Sequence, residues 1–381
     1  MRRRHFISGL TGTAAGVGLA AASTTTAAAA TAAALQRPTN AAETWREVPA
    51  PPGEEAARLV GVAAAGPAIA FAVGDEGRSR STRGRPLALA WNGTAWSRTD
   101  LTHLDYTGAL RAVANSSADA AWALGTNTDG NDQLLAWDGE TWQEVNFPGR
   151  GEPGTRLTDV AVGGDGQAWV SGRHGDRAGL MRGPGPGNGP AWRWCRPLPD
   201  EATPTPYGVH VTPCGEVWVY GDVIARWDGA WTVIPRHVGI RSGVTGLLPV
   251  AHDDIWLTGY AYGPGGPPGK PPGVTFQRWD GGEWTRGESP FTVGVLSGII
   301  GDAQGRPDLI AGWDFWDQKR THYLRWNGSD WTSERGPEAT GSTSLMNAIT
   351  AIPGTASGYW AVGANSTYSS PPAQLRVERH G

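Results

Sequence analysis

One short string recurs along this chain. It reads WNGTAW (91–96), WDGETW (137–142), WDGAW (227–231), WDGGEW (279–284) and WNGSDW (326–331), with a degenerate copy, GPAW, ending at Trp192. Asp-Gly or Asn-Gly between two short apolar runs is a strong hairpin signal, because both residues tolerate positive φ. The run before each string reads LALAW, LLAW, VIARW, TFQRW or YLRW, and the run after it starts at the closing Trp, as in TWQEV (141–145). A second string lies upstream of each hairpin: FAVG (71–74), WALG (122–125), WVSG (169–172), WVYG (218–221), WLTG (256–259), LIAG (309–312) and WAVG (360–363). About ten residues before each of these comes a short strand opened by small residues, such as Gly61-Val62 or Gly246-Leu247. Each unit therefore holds four strands, and the fold class is all-β.

The closing Trp residues fall at 45, 96, 142, 192, 231, 284 and 331, with spacings of 39 to 53 residues. Propeller blades repeat at about 40–50 residues. Seven copies predict a seven-bladed β-propeller of four-stranded antiparallel blades. The last unit stops after its third strand (LRVERHG, 375–381), and ETWREV (43–48) nearly copies ETWQEV (140–145). The N-terminal strand is thus expected to complete the last blade and close the ring, leaving no free sheet edge. A solenoid of the same repeats has no use for such complementary ends. Composition agrees: 56 Gly and 29 Pro among 381 residues disfavour helices, while 39% hydrophobic residues with 20 Trp can bury a core.

The repeats resemble bacterial Asp-box (BNR-type) propeller repeats, in which a D-x-G-x-x-W-like hairpin joins the third and fourth strands of a blade. The resemblance covers about 45–381, without the usual leading Ser or Thr of the box. It implies an architecture and leaves function open, since such repeats serve sialidases, lyases, assembly factors and receptors. A sialidase is disfavoured by the lack of an Arg-Ile-Pro motif and of a Tyr/Glu pair.

Arg3-Arg4-His5-Phe6-Ile7 resembles the twin-arginine export signal, followed by a mildly apolar stretch and a Thr/Ala tract. Residues 1–35 are read as the signal peptide, 36–42 as a linker and 43–381 as the propeller. The resemblance implies export in the folded state by the twin-arginine machinery, hence a secreted protein. The apolar run is too short and diluted to predict a membrane span. Net charge is −4, and no basic run marks a nucleic-acid footprint. Cys195 and Cys214 are too few for a disulfide scaffold or a four-Cys zinc site. The oxidising destination permits a bond between them, and their place on the hairpin side of neighbouring blades favours one if the sulfurs lie within reach.

In a propeller, the loops after the second and fourth strands share one face around the channel mouth, opposite the repeated hairpins. That variable face is where a site is expected. Trp313-Asp314-Phe315-Trp316-Asp317 is the sharpest anomaly, because its two Trp residues fall outside the repeat slots. Two exposed aromatics beside two carboxylates suit stacking on a sugar ring with hydrogen bonds to hydroxyls. Tyr260, Tyr262, His174 and Asp176 are further candidate ligand contacts on these loops. Weaker candidates for catalysis are His103 and Tyr106, which could act as base and acid for β-elimination from a uronic acid, together with His210, His237 and Arg241. The Arg-rich first loop (Arg78, Arg80, Arg83, Arg85) could hold a carboxylated or sulfated glycan. No pair of His residues has metal-ligand spacing, so no metal is assigned, and the cofactor is unknown. The expected role is a secreted, monomeric propeller binding an extracellular glycan or other polymer. A polysaccharide lyase or glycoside hydrolase with its site at the channel mouth is the alternative, and a protein-interaction platform the third.

Overall fold

A computed structural model describes residues 44–54, 56–183, 191–199, 206–235, 242–262, 272–339, 343–366 and 373–381. The expected signal peptide and linker lie outside the described residues. Those described contain strands and no helix, arranged as seven four-stranded antiparallel sheets. Blades 1 to 6 span 58–98, 112–145, 156–197, 206–234, 242–286 and 294–338. Blade 7 combines three strands of 343–380 with Arg46–Glu47 from the other end of the chain. Arg46 pairs with Arg379 and Glu47 with Glu378, so the N-terminal strand completes the last blade as expected.

The repeated hairpins form for the reason their sequence suggests. Gly139 and Gly328 sit at φ of 101° and 105°, where a side chain would be strained. The preceding Asp138 accepts the backbone N–H groups of Glu140 and Thr141 at 3.0 and 2.8 Å, which also holds its carboxyl below the usual range. Asn327 does the same for Ser329 and Asp330. Each turn sets two tryptophans opposite each other, as in Trp137↔Trp142 and Trp326↔Trp331.

Those tryptophan pairs glue neighbouring blades. The pair on one blade cages the first residue of the W-x-x-G strand of the blade before it. Phe71 of blade 1 lies 5.5 and 5.7 Å from Trp137 and Trp142 of blade 2. Trp256 of blade 5 lies 5.2 and 5.9 Å from Trp326 and Trp331 of blade 6. Trp360 of blade 7 lies 4.9 and 5.1 Å from Trp91 and Trp96 of blade 1. Most of these contacts are edge-on or tilted, each adding about 0.5–1.5 kcal/mol beyond area burial.

The innermost strands close the ring by a second device. Six of the seven carry a bulge at their start, between Leu59 and Gly61, Leu157 and Asp159, Pro206 and Gly208, Val244 and Gly246, Leu296 and Gly298, and Met346 and Ala348. The residue in the bulge can reach the next blade. Asn347 donates to the carbonyl of Leu59 at 2.7 Å, and Arg111, at the same position of blade 2, to that of Leu157 at 3.1 Å. Thr245 makes the same bond to Leu296. The residue after the bulge is glycine or alanine except in blade 3, which has Asp159. A Cβ on Gly246 would lie 2.9 Å from the backbone nitrogen of Ile299 in blade 6.

Closure between first and last strands has its own lock. Trp45 stacks on Tyr323 at 3.7 Å and 6°. Arg376 is fully buried and reaches Glu378 at 2.6 Å, Glu47 at 2.8 Å and the carbonyl of Pro337 at 2.8 Å. Glu378 also accepts the hydroxyls of Thr321 and Tyr323, each at 2.8 Å.

The expected Cys195–Cys214 bond is corrected. Both cysteines are free. Cys195 sits in the outermost strand of blade 3 (Arg193–Pro197), and Cys214 in the turn between the two innermost strands of blade 4. Their neighbours differ accordingly. Cys195 packs against an interblade core, whereas the exposed Cys214 thiol lies 3.1 Å from Thr212 Oγ1 in its own turn.

Candidate functional site

The variable face is organised most tightly at blade 6. Its second strand (Pro307–Asp314) ends in a turn closed by a bond from Asp317 N to Asp314 O at 3.3 Å. The Asp314 carboxylate accepts the N–H of Trp316 at 3.0 Å, an Asx turn that lifts residues 315 and 316 off the sheet. Phe315 meets Trp316 edge-on at 4.9 Å and Trp313 at 5.9 Å. Trp316 is 78% exposed, the most exposed of the large hydrophobic residues described. The turn is braced from its neighbours as well. Phe315 N donates to Val293 O, and Ser344 N and Ala339 N donate to the carbonyls of Gln318 and Lys319.

The geometry departs from a pair of exposed tryptophans flanked by free carboxylates. Trp313 is half-buried in the strand, and its indole N–H is buried without a partner. Asp314 is buried and faces Arg335 of the outermost strand at 3.3 Å; Arg335 reaches Asp317 at 3.3 Å as well. The two carboxylates therefore hold the turn through one guanidinium. His322 lies behind them, stacked on Phe291 at 4.5 Å and bonded to Ser333 at 2.9 Å. Burial, helped by the Arg335 charge and opposed by Asp314, lowers the His322 pKa to about 4, so the imidazole is neutral at neutral pH.

The other loop candidates are scattered around the same face. His174 stacks flat on Trp194 at 5.7 Å and 6°, and its Nε2 lies 3.2 Å from Glu152. Trp194 is in turn bonded to the carbonyl of Pro148 at 2.9 Å. Asp176 is exposed in the tip of the same hairpin. Tyr260 and Tyr262 meet edge-on at 5.7 Å, with Tyr262 48% exposed. Arg85 of the Arg-rich loop pairs with Glu54 and Glu76, while Arg78, Arg80 and Arg83 are exposed.

Among the described residues considered for catalysis, His103 and Tyr106 are not hydrogen-bonded to each other. His103 Nε2 lies 2.8 Å from the carbonyl of Trp142, to which it donates. Tyr106 is buried, and burial together with the nearby Glu144 carboxylate pushes its phenol far above the usual range. His237 and Arg241 lie outside the described residues. Among the described residues, no three His, Cys, Asp or Glu side chains are grouped to hold a metal ion. Likewise, no described helix is long and apolar enough to cross a membrane.

His210 lines the central channel, a cavity of about 450 Å³ walled by all seven innermost strands. Two residues that motif reading passed over join it there. Asp159 accepts the N–H groups of Val160 at 2.9 Å and of Val209 in the next blade at 3.0 Å. Burial raises its pKa to about 7 against those bonds, and lowers that of His210 to about 4. Tyr220 also lines the channel, and its phenol is pushed far up by burial and by the Asp159 charge. The signal was present in the repeats. Aligned at their bulges, the inner strands read LVGVA, LRAVA, LTDVA, PYGVH, VTGLL, LSGII and MNAIT, and Asp159 and His210 are the titratable residues beyond the bulge.

No protein-family model matches the sequence, and no curated protein matches it. Among solved structures, the chain is similar to YCF48 bound to D1 peptide, with TM-score 0.56 and 13% identity over 91% of this chain and 99% of that one. It is also similar to YCF48 from Cyanidioschyzon merolae, with TM-score 0.53 and 17% identity over 87% and 98% of the two chains. A weaker likeness, TM-score 0.46 and 13% identity over 77% and 98%, is to the SapL1 lectin in complex with alpha methyl fucoside. At these identities the likeness is one of fold.

Proposed function

We propose that the chain is an exported propeller that retains an extracellular carbohydrate polymer on its variable-loop face, with the blade 6 turn as the stacking platform. The observation that carries this reading is Trp316. A large aromatic ring 78% exposed on a turn braced by Asp314, Arg335 and Asp317 is preorganised for a flat apolar partner. A pyranose ring offers such a face, with hydroxyls for the polar rim. The leader-like residues 1–35 support export by the twin-arginine route, and nothing in the fold depends on a disulfide.

Trp316→Ala tests the reading. The substitution should abolish retention on an insoluble polysaccharide that the wild type binds. An exposed site should change stability by no more than about 0.5 kcal/mol. Undiminished retention would remove Trp316 from the binding face.

A further inference from the structure

The wall of the central channel breaks the sevenfold repeat at one stretch. The innermost strand of each blade lies at the end of its sheet and turns a row of backbone N–H and C=O groups toward the axis. The channel encloses about 450 Å³, within the range of small-molecule sites of about 300–1,000 Å³. Three side chains that depart from the repeat converge on it at blades 3 and 4. Asp159 stands where the other inner strands carry Gly or Ala, and His210 where they carry Ala, Leu, Ile or Thr. Tyr220 is the one aromatic residue placed just before the glycine that ends each W-x-x-G string. It lies across Gly208, whose missing side chain leaves room for the phenol: a Cβ there would fall 2.0 Å from the ring.

Asp159 is also the exception among the enclosed acids. Asp75, Glu76, Asp132, Asp314 and Glu378, the buried carboxylates described, each pair with an arginine at 2.6 to 3.3 Å. Asp159 has two backbone N–H groups, one on each oxygen, and no cation among the described residues. Each oxygen keeps a second lone pair. Arg111, the one arginine or lysine that lines the channel, is committed to Asp132 and to the carbonyl of Leu157. On the same wall, the Tyr220 hydroxyl and both ring nitrogens of His210 have no hydrogen-bond partner among the described residues, and none of these atoms is sealed from the channel. Asp159, His210 and Tyr220 are each half-buried, so part of each stays within reach of a solute. Burial keeps His210 neutral at neutral pH, so its ring presents an acceptor nitrogen.

We infer that the channel wall at blades 3 and 4 is a binding site for a small primary ammonium, whose charge Asp159 balances and whose N–H groups Asp159, Tyr220 and His210 accept. The site is independent of the Trp316 platform. A primary ammonium carries one positive charge and three donors. That matches one unpaired carboxylate, one phenol oxygen and one imidazole nitrogen. Backbone carbonyls at the open strand edges add acceptors for a hydroxyl or a second amine further along the channel. A carboxylated or phosphorylated ligand would meet the Asp159 charge and is selected against. Among the described residues, no three His, Cys, Asp or Glu side chains are grouped there to hold a metal ion, which favours the organic cation.

Isothermal titration of the full chain at pH 8 with methylammonium, ethanolamine and putrescine should show saturable binding of at least one of them. Tetramethylammonium, which has the charge but no N–H donor, and glycerol, which has hydroxyls but no charge, should bind more weakly or not at all. The other titratable side chains of the wall are Arg111, His210 and Tyr220. Burial sets His210 at about 4 and Tyr220 far above neutral pH, so Asp159, at about 7, governs the change between pH 6 and 8. Binding at pH 6 should be about tenfold weaker, because only about a tenth of the sites are ionised. It should also release a proton, read from titrations in two buffers of different ionisation enthalpy. Asp159→Asn should abolish binding, and Tyr220→Phe should weaken it about three- to tenfold. The Tyr220 variant loses only a hydroxyl without an internal partner, so it decides the matter if Asp159→Asn does not fold. Trp316→Ala should leave binding unchanged. No saturable binding of any primary amine, equal binding of tetramethylammonium, tighter binding of calcium, no proton release at pH 6, indifference to both channel substitutions, or loss with Trp316→Ala would each overturn the inference.

Discussion

Asp159 occupies a position where the other innermost strands place glycine or alanine, since the next blade lies against it. Its carboxylate reaches across that contact to the Val209 N–H, and burial raises its pKa from 3.8 to about 7. Between about pH 4 and 7 the folded protein therefore holds a proton that the unfolded chain releases. Its contribution is fully present below the unfolded pKa and is lost as pH rises through the folded one. The size is about 2–4 kcal/mol. His210 and His322 act in the opposite sense, because their pKa values fall from 6.5 to about 4, so their stabilisation is lost as pH falls through that window. The difference between wild type and Asp159→Asn isolates the carboxyl. Thermal midpoints measured from pH 4 to 8 should show the variant gaining on the wild type as pH rises. A constant difference would mean that Asp159 does not titrate in this range.

At the scale of elements, the blade 6 turn depends on a residue far from it in sequence. Arg335, in the outermost strand, neutralises the buried Asp314 and holds Asp317. Arg335→Met should cost about 1–3 kcal/mol by leaving Asp314 unpaired. It should also weaken polymer retention although Trp316 remains, because the platform loses its brace. Unchanged retention would separate the aromatic ring from its support. The closing strand makes a second prediction. Arg376→Met strips the buried Glu378 of its cation and should cost about 3–5 kcal/mol. Removing residues 44–48 instead leaves the edge of the last blade open, and light scattering should then detect self-association absent from the intact ring. A monomeric truncation would show that the edge is protected by other means.

At the scale of the whole molecule, the architecture was legible because each blade repeats its local signals. The Asp-Gly and Asn-Gly turns, the W-x-x-G strands and the stray ETWREV segment specify hairpins, order and closure independently of distant contacts. Seventeen tryptophans fall in repeat slots, and many of them cage residues of the neighbouring blade. The candidate site was legible in part. Trp316 stood out because it broke the pattern, whereas its neighbour Trp313 also broke it and lies half-buried. Motif reading cannot tell them apart, since exposure is decided by the turn at Asp314. Arg335 was hidden because its role depends on strand register. Asp159 was readable in principle, from alignment of the inner strands. The two cysteines lie where the repeats put them, in an outermost strand and in a first-to-second-strand turn, and no bond joins them.

Affinity electrophoresis through gels carrying soluble polysaccharides tests the central claim most directly. Wild type, Trp316→Tyr and Trp316→Ala run side by side, with thermal midpoints matched. Wild type should be retarded by at least one polysaccharide, the Tyr variant less, and the Ala variant should run as in a blank gel. Equal retardation of all three would contradict a ligand stacked on Trp316.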